Sequence, residues 1–295
     1  MRASVFMAGE SIARLRRRIG EIEGKPGDGG PTEGGGPTLA SGIRSRSVLD
    51  FGIPPLDERI GGGLKRNGLH EIRAGETRDA AAATGFATAL LARLAVTDSR
   101  PILWVMEMAA GREAGLPYGT GLDRFGLDSR RLVVVHVRRP GEALWVFEEG
   151  LRCRSLAAVL AEIRGSPKQL DLTASRRLAL RAGESGVMGL FLRQAGAVLP
   201  GAAATRWLVA PRPASPVDDF PAGIGRPVWR LVLERSRTGA TGSFDLEWDH
   251  DTCTFALAGT RAGRAALPVP RPSLSPDRPD LSPDPRPLVA FRRAS

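Results

Sequence analysis

Residues 68–86 read GLHEIRAGETRDAAAATGF, and this stretch decides the fold. A short strand, Gly68–Arg73, passes through a turn into an alanine- and leucine-rich helix expected over Ala80–Ala95. A strand, a tight turn and a helix in that order are the setting of a phosphate-binding loop. There glycines let backbone N–H groups wrap phosphates, a lysine neutralises them, and a Ser or Thr holds Mg²⁺. Gly75 stands at the first glycine position of that pattern. The second glycine, the lysine and the hydroxyl residue would fall at Ala80, Ala81 and Ala82. Alanine brings no charge and no metal ligand, and its Cβ disfavours a left-handed turn. An ordinary strand–loop–helix turn reads the same way, and the pattern alone leaves both readings open.

Outward from this stretch, strand and helix signals alternate. PILWVM (101–106) and LVVVHV (132–137) read as buried strands, Ala157–Ile163 and Val187–Leu192 as further strands. Pro140–Arg154 and Thr173–Ser185 read as helices between them. Such alternation implies a parallel sheet covered by helices on both faces. Beyond residue 200 the helices stop. Arg206–Ala210, Val228–Arg235 and Ser243–Trp248 suit an antiparallel extension of the same sheet, with a hairpin turn at Thr238–Gly242. Upstream, residues 11–23 carry Ile12, Leu15, Ile19 and Ile22 at helical spacing, an amphipathic stripe fit for docking on a partner or on the chain's own body. Residues 24–42 are a Gly/Pro-rich linker, 43–259 the body, and 260–295 a Pro/Arg-rich tail without apolar periodicity.

Composition excludes more than it selects. The chain has 295 residues and a net charge of +10, but only Lys25, Lys65 and Lys168 are lysines among 42 basic residues. So strong an arginine bias fits GC-rich coding, which weakens the charge as an argument for nucleic-acid binding. No membrane span and no secretory leader are expected. Cys153 and Cys253 show no metal-type spacing, and a cytoplasmic setting fits. Asp249-His250-Asp251 reads as a turn, because adjacent residues on a strand point apart. His70 and His136 read as packing or surface residues, and Trp104, Trp145, Trp207, Trp229 and Trp248 as core. Arg176-Arg177 reads as a solvated helix face or as a contact for DNA or an acidic partner. No paired carboxylates or Ser-His-Asp set appear, so no catalytic residue, metal or cofactor is assigned.

FGIPPLDERIGGGLKRNGLHEIRAGE (51–76) resembles the entry to a RecA-like core, through Gly52, Leu56, Asp57, Gly61, Gly62, Gly63, Leu64, Gly68, Glu71, Ile72 and Gly75. The resemblance implies an α/β fold: a mostly parallel sheet with helices on both faces and an antiparallel C-terminal extension. It places Glu107 near that family's catalytic glutamate and Glu162 at its Walker B position, where the family has aspartate. Gln194 matches the second residue of its Asn-Gln sensor, and Arg193 stands where the Asn belongs. The family's two DNA-binding loops would fall at Arg164–Leu172 and Ala195–Ala204, and the second, AGAVLPGAAA, has no charge and no aromatic group. Five stretches look like ImuA, the inducible-mutagenesis accessory family. They are GLHEI (68–72), ILWV (102–105), ALWVFEEGLRC (143–153), LDLTASRRL (170–178) and AAATRWLVAP (202–211). That resemblance implies an adaptor for damage-induced translesion synthesis, acting with an ImuB-type Y-family-like protein, RecA and an error-prone DnaE-type polymerase. DNA contact would then be weak or indirect, and self-association is left open. An active RecA-like ATPase or a DNA-binding regulator of recombination is the alternative.

Overall fold

The computed structural model describes residues 47–214 and 225–259. The expected N-terminal helix with Ile12, Leu15, Ile19 and Ile22, the 24–42 linker and the 260–295 tail lie outside the described residues.

A nine-stranded sheet forms the centre, in the order β11-β10-β9-β8-β3-β7-β6-β4-β5. In chain order its strands are β3 (Leu69–Ala74), β4 (Ile102–Glu107), β5 (Leu132–Val137), β6 (Ala158–Arg164) and β7 (Met188–Gln194). They continue as β8 (Thr205–Arg212), β9 (Val228–Ser236), β10 (Gly242–Asp249) and β11 (Thr254–Leu257). A separate antiparallel pair, β1 (Val48–Leu49) and β2 (Leu64–Lys65), precedes it, with helix α1 (Pro54–Arg59) between. The main helices are α2 (Ala80–Thr97), α5 (Pro140–Arg152) and α6 (Leu172–Ser185), with short α3 (Met108–Ala114) and α4 (Gly119–Arg124) after β4. This is the expected α/β architecture, a mostly parallel sheet with helices on both faces and an antiparallel C-terminal extension.

β3 to β8 are mutually parallel, and β9, β10 and β11 follow antiparallel. The expectation that the antiparallel extension begins at residue 206 therefore needs correction: β8 pairs parallel with β3, from His70↔Thr205 to Ala74↔Val209. The absence of a helix before β8 suggested an antiparallel return. Instead the ten residues 195–204 cross back over the sheet. Fully extended they would span up to roughly 33–36 Å, far more than one short strand length.

Strand residues alternate between two cores. Ile72, Trp104, Leu160, Leu190 and Trp207 face α2, which is buried along most of its length. Val105, Val159, Ala161 and Phe191 face α5 and α6. Small residues let α2 lie close to the sheet: a Cβ on Gly85 would stand 3.3 Å from the Trp229 ring. Phe86 of α2 packs within 6.4 Å, ring centre to ring centre, of Phe51, Trp207, Trp229 and Phe255. The Asp57 carboxylate accepts the Phe51 and Ile53 N–H groups at 2.7 and 3.0 Å, which seats Phe51 in that cluster. Gly63, the last of three glycines, has φ +136°, and a Cβ there would lie 2.6 Å from the Leu49 carbonyl oxygen, so only glycine fits. Helix α6 is bounded by its own caps: Asp171 accepts the Ala174 N–H at 2.7 Å, and Gly186 ends the helix in the left-handed conformation.

Two further expectations are corrected. LVVVHV is an edge strand, not a buried one: among the described residues β5 pairs only with β4, and Val133 and Val134 are 50% and 38% exposed. Trp145 lies on the outer side of α5, 65% exposed, whereas the other four tryptophans are buried. A run of β-branched residues marks a strand but not how many neighbours it has. Phe86→Ala should cost about 3–5 kcal/mol through the cavity it leaves, and Trp145→Ala no more than about 0.5 kcal/mol as a surface change. Urea unfolding of the two variants measures both.

Candidate functional site

In open parallel sheets, ligands bind at the carboxyl ends of the strands, where successive connections leave on opposite faces. Here that rim is formed by the turns after β3, β4, β6 and β7.

After β3 the chain passes Gly75 and a single 3-10 turn, Thr77–Asp79, before α2 begins at Ala80. Gly75 has ordinary φ, and a Cβ on it would sit 3.5 Å from Leu208 and 3.6 Å from the Asp79 carboxylate. Neither torsion nor space demands glycine at this turn. Asp79 is the residue before α2, and its backbone is already helical. Its carboxylate therefore lies at the positive end of the helix dipole, the place an anion would otherwise take. Glu76 adds a second carboxylate, paired on the surface with Arg78 at 3.0 Å. Ala80 is buried, Ala81 exposed and Ala82 half-buried.

Glu162 is fully buried on β6. It accepts hydrogen bonds from Thr84 Oγ1 of α2 at 3.0 Å, Trp104 Nε1 of β4 at 3.1 Å and Gln194 Nε2 of β7 at 2.5 Å. Burial pushes its carboxyl above the ordinary carboxylate range, and the bonds from Gln194, Thr84 and Trp104 oppose that. The structure thus brings together two of the three carboxylate and amide positions singled out in the sequence, Glu162 and Gln194. The third, Glu107, is buried at the end of β4, where it accepts the Arg164 N–H at 3.0 Å. Glu162 also borders a cavity of about 190 Å³ with Thr84, Thr88, Trp104, Met106 and Phe125.

Sequence reasoning missed the second cluster, on the opposite face. Glu71 of β3 is buried and receives Arg193 Nη1 at 3.0 Å and Arg206 Nε at 2.6 Å. The same arginines reach the crossover 195–204. Arg193 donates to the Ala197 carbonyl at 2.5 Å and Arg206 to that of Leu199 at 2.6 Å. Arg73, paired with Glu234, donates to Gly196 at 3.1 Å, and Arg235 to Gly201. Ser175 of α6 accepts the Ala202 N–H at 2.8 Å. The segment expected to correspond to a DNA loop is thus tied to four strands and a helix. The signal was legible in LFLRQ: a charged residue inside an apolar strand is buried only when it is paired.

The remaining candidates separate. Arg177 donates to Glu148 of α5 at 2.8 Å, so it joins two helices, while its neighbour Arg176 is exposed. His70 is buried between Thr205 Oγ1 and the Lys65 carbonyl, at 2.8 and 2.9 Å, and burial drops its pKa to about 4. Asp249 and Asp251 share Arg226, and no cluster of metal-ligating side chains occurs among the described residues.

No protein-family model matches the chain. Protein ImuA of Caulobacter vibrioides strain NA1000 / CB15N is 35% identical over 223 residues, covering 71% of this chain and 87% of that protein. The chain belongs to the ImuA family. The ImuA of a second Caulobacter vibrioides strain, ATCC 19089, matches to the same extent. Among solved structures, a KaiC-like protein from the archaeon Pyrococcus horikoshii aligns at TM-score 0.43 and 14% identity, over 71% of this chain and 98% of that one.

Two outcomes are expected at these clusters. Glu71→Ala in this ImuA-family chain leaves two buried guanidinium groups without their carboxylate and should cost about 3–5 kcal/mol. Hydrogen exchange at residues 195–204 should accelerate in this variant; unchanged protection would show that the arginines do not hold the crossover. For Glu162, the folded-state pKa lies above the unfolded value of about 4.5. The folded state therefore holds an extra proton between the two values, and this contribution to stability is lost as pH rises through the folded pKa. Glu162→Gln removes that dependence. Urea unfolding at pH 7 and pH 5 should find the variant faring better relative to wild type at pH 7. A difference that does not move with pH would mean an ordinary carboxylate.

Proposed function

We propose that this ImuA-family protein is a non-catalytic accessory factor of damage-induced mutagenic translesion DNA synthesis, working in the cytoplasm and at damaged DNA. In this reading it is an adaptor joining RecA, an ImuB-type Y-family-like protein and an error-prone DnaE-type polymerase, and its own contact with DNA is weak or indirect.

The observation that carries the reading is the turn before α2. A nucleoside triphosphate with Mg²⁺ needs a cation, a hydroxyl ligand and open N–H groups at that place. The residues present do not fit it. The Asp79 carboxylate occupies the hollow beside Gly75, and three alanines, Ala80, Ala81 and Ala82, follow. At the metal's side of the site, Glu162 already accepts three hydrogen bonds and is held toward its neutral form, which makes it a poor ligand for Mg²⁺. A RecA-like framework without a nucleotide grip has protein surfaces left to work with, and family membership supplies the setting. The expected role of Ile12, Leu15, Ile19 and Ile22 as a docking stripe belongs to the same proposal, as does Arg176, which unlike Arg177 makes no ion pair among the described residues.

Calorimetric titration of the full chain with ATP and Mg²⁺ should give no binding at micromolar concentrations, and Ala80→Gly, Ala81→Lys and Ala82→Thr together should not produce hydrolysis. Micromolar, Mg²⁺-dependent affinity in the wild type would instead support the ATPase alternative. Co-purification with ImuB or RecA tests the adaptor role, with Leu15→Asp/Ile19→Asp as the comparison.

A further inference from the structure

The geometry points to the cavity between α2, β4 and the α3–α4 connection as a binding site for a primary alkylammonium group on an unbranched apolar stem, its charge held by Glu162. No residue from Gly75 to Ala82 lines this cavity. The inference therefore stands apart from the nucleotide question and from the adaptor reading.

Size and walls set the stem. The cavity holds about 190 Å³. An apolar cavity of about 150 Å³ in another protein accepts benzene, so a chain of about five or six heavy atoms fits. Met106, Leu122, Phe125 and Trp104 line it, with Leu116 of the α3–α4 connection. Leu116 is also 65% exposed, so the way in lies beside it.

The polar side chains set the head group. Glu162 Oε1 accepts Thr84 Oγ1 and Gln194 Nε2, whereas Oε2 accepts Trp104 Nε1 and no other side chain. A carboxylate oxygen accepts about two hydrogen bonds, so Oε2 can take one more. The Thr84 hydroxyl hydrogen is spent on Glu162, and that of Thr88 on the Thr84 carbonyl at 2.8 Å. Both hydroxyl oxygens still accept. Every polar side chain on this wall is thus left with acceptor capacity and no free donor, so a ligand must bring the hydrogens. A primary ammonium brings three. Charge points the same way. Glu162 is the one ionisable side chain lining the cavity, and none of the three side chains bonded to it is charged. A buried carboxylate in that position is costly until a positive charge joins it, which agrees with the upward push on its carboxyl. The rings of Trp104 and Phe125 suit a cation as well. Mg²⁺ would demand six oxygen ligands, which these apolar walls do not supply.

The test is calorimetric titration of the full-length protein with n-butylammonium and with n-butanol, which has the same stem and no charge. The amine should bind at least about tenfold more tightly. Its affinity should rise as pH rises through the folded pKa of Glu162, because binding displaces the proton there. The amine itself stays charged, as a lysine does up to about pH 10. Glu162→Gln should lose the preference for the amine while still taking the alcohol, which shows the cavity intact. Leu116→Trp, at an exposed position, should weaken both. Nα-acetyl-lysine methylamide separates the two sources of such a group. Affinity equal to or above that of n-butylammonium assigns the site to a lysine side chain of another protein, and lower affinity to a free amine. Equal binding of amine and alcohol, amine affinity that falls as pH rises, or no amine binding at millimolar concentration would overturn the proposal. So would Glu162→Gln that keeps the preference for the amine.

Discussion

The carboxylate of Glu71 is the point on which one face of the sheet depends. Six parallel strands need crossovers, and the one between β7 and β8 has no helix to satisfy its own backbone. Residues 195–204 run across the sheet with no helix or strand ladder to take up their carbonyls. Arginines of β3, β7, β8 and β9 reach four of them. The guanidinium groups of Arg73, Arg193 and Arg206 are themselves buried, and a buried charge is tolerable only when paired. Glu71 pairs two of them and Glu234 a third. The placement of β8, and with it the antiparallel strands that follow, rests on this one network.

The opposite face is joined in the same way by Glu162, which links α2, β4 and β7 through three hydrogen bonds from side chains. At both places a buried carboxylate of the sheet takes up several of the protein's own donors. Asp79 completes the picture, since it stands at the α2 N-terminus, where a helix would otherwise favour an exogenous anion. The polar groups of the rim are directed inward, to hold strands and helices together.

The periphery differs. Among the described residues the sheet ends at β5, a regular strand with one neighbour and exposed valines, and α5 carries Trp145 to the surface. Such features are costly in solution, because they invite association without discrimination. A protein whose interior is occupied by its own contacts has its edges and helix surfaces as places to meet others.

The sequence by itself determined the class of fold and most element boundaries. Short β-branched runs alternate with amphipathic helices from Gly68 to Leu192, and that periodicity has one compact solution, a parallel sheet with two covered faces. It also determined the turn chemistry: Gly63 where no Cβ fits, Asp171 and Gly186 at the two ends of α6, and three alanines at the start of α2. Local patterns record what neighbours along the chain require. Only the tertiary structure decided that β8 is parallel and that β5 has one neighbour among the described residues, because strand order is a matter of contacts between segments far apart in sequence. It alone decided that Arg193, which breaks the resemblance to a nucleotide sensor, meets Glu71, which lies 122 residues away. Burial makes such a pairing obligatory, but periodicity carries no record of which partner supplies it.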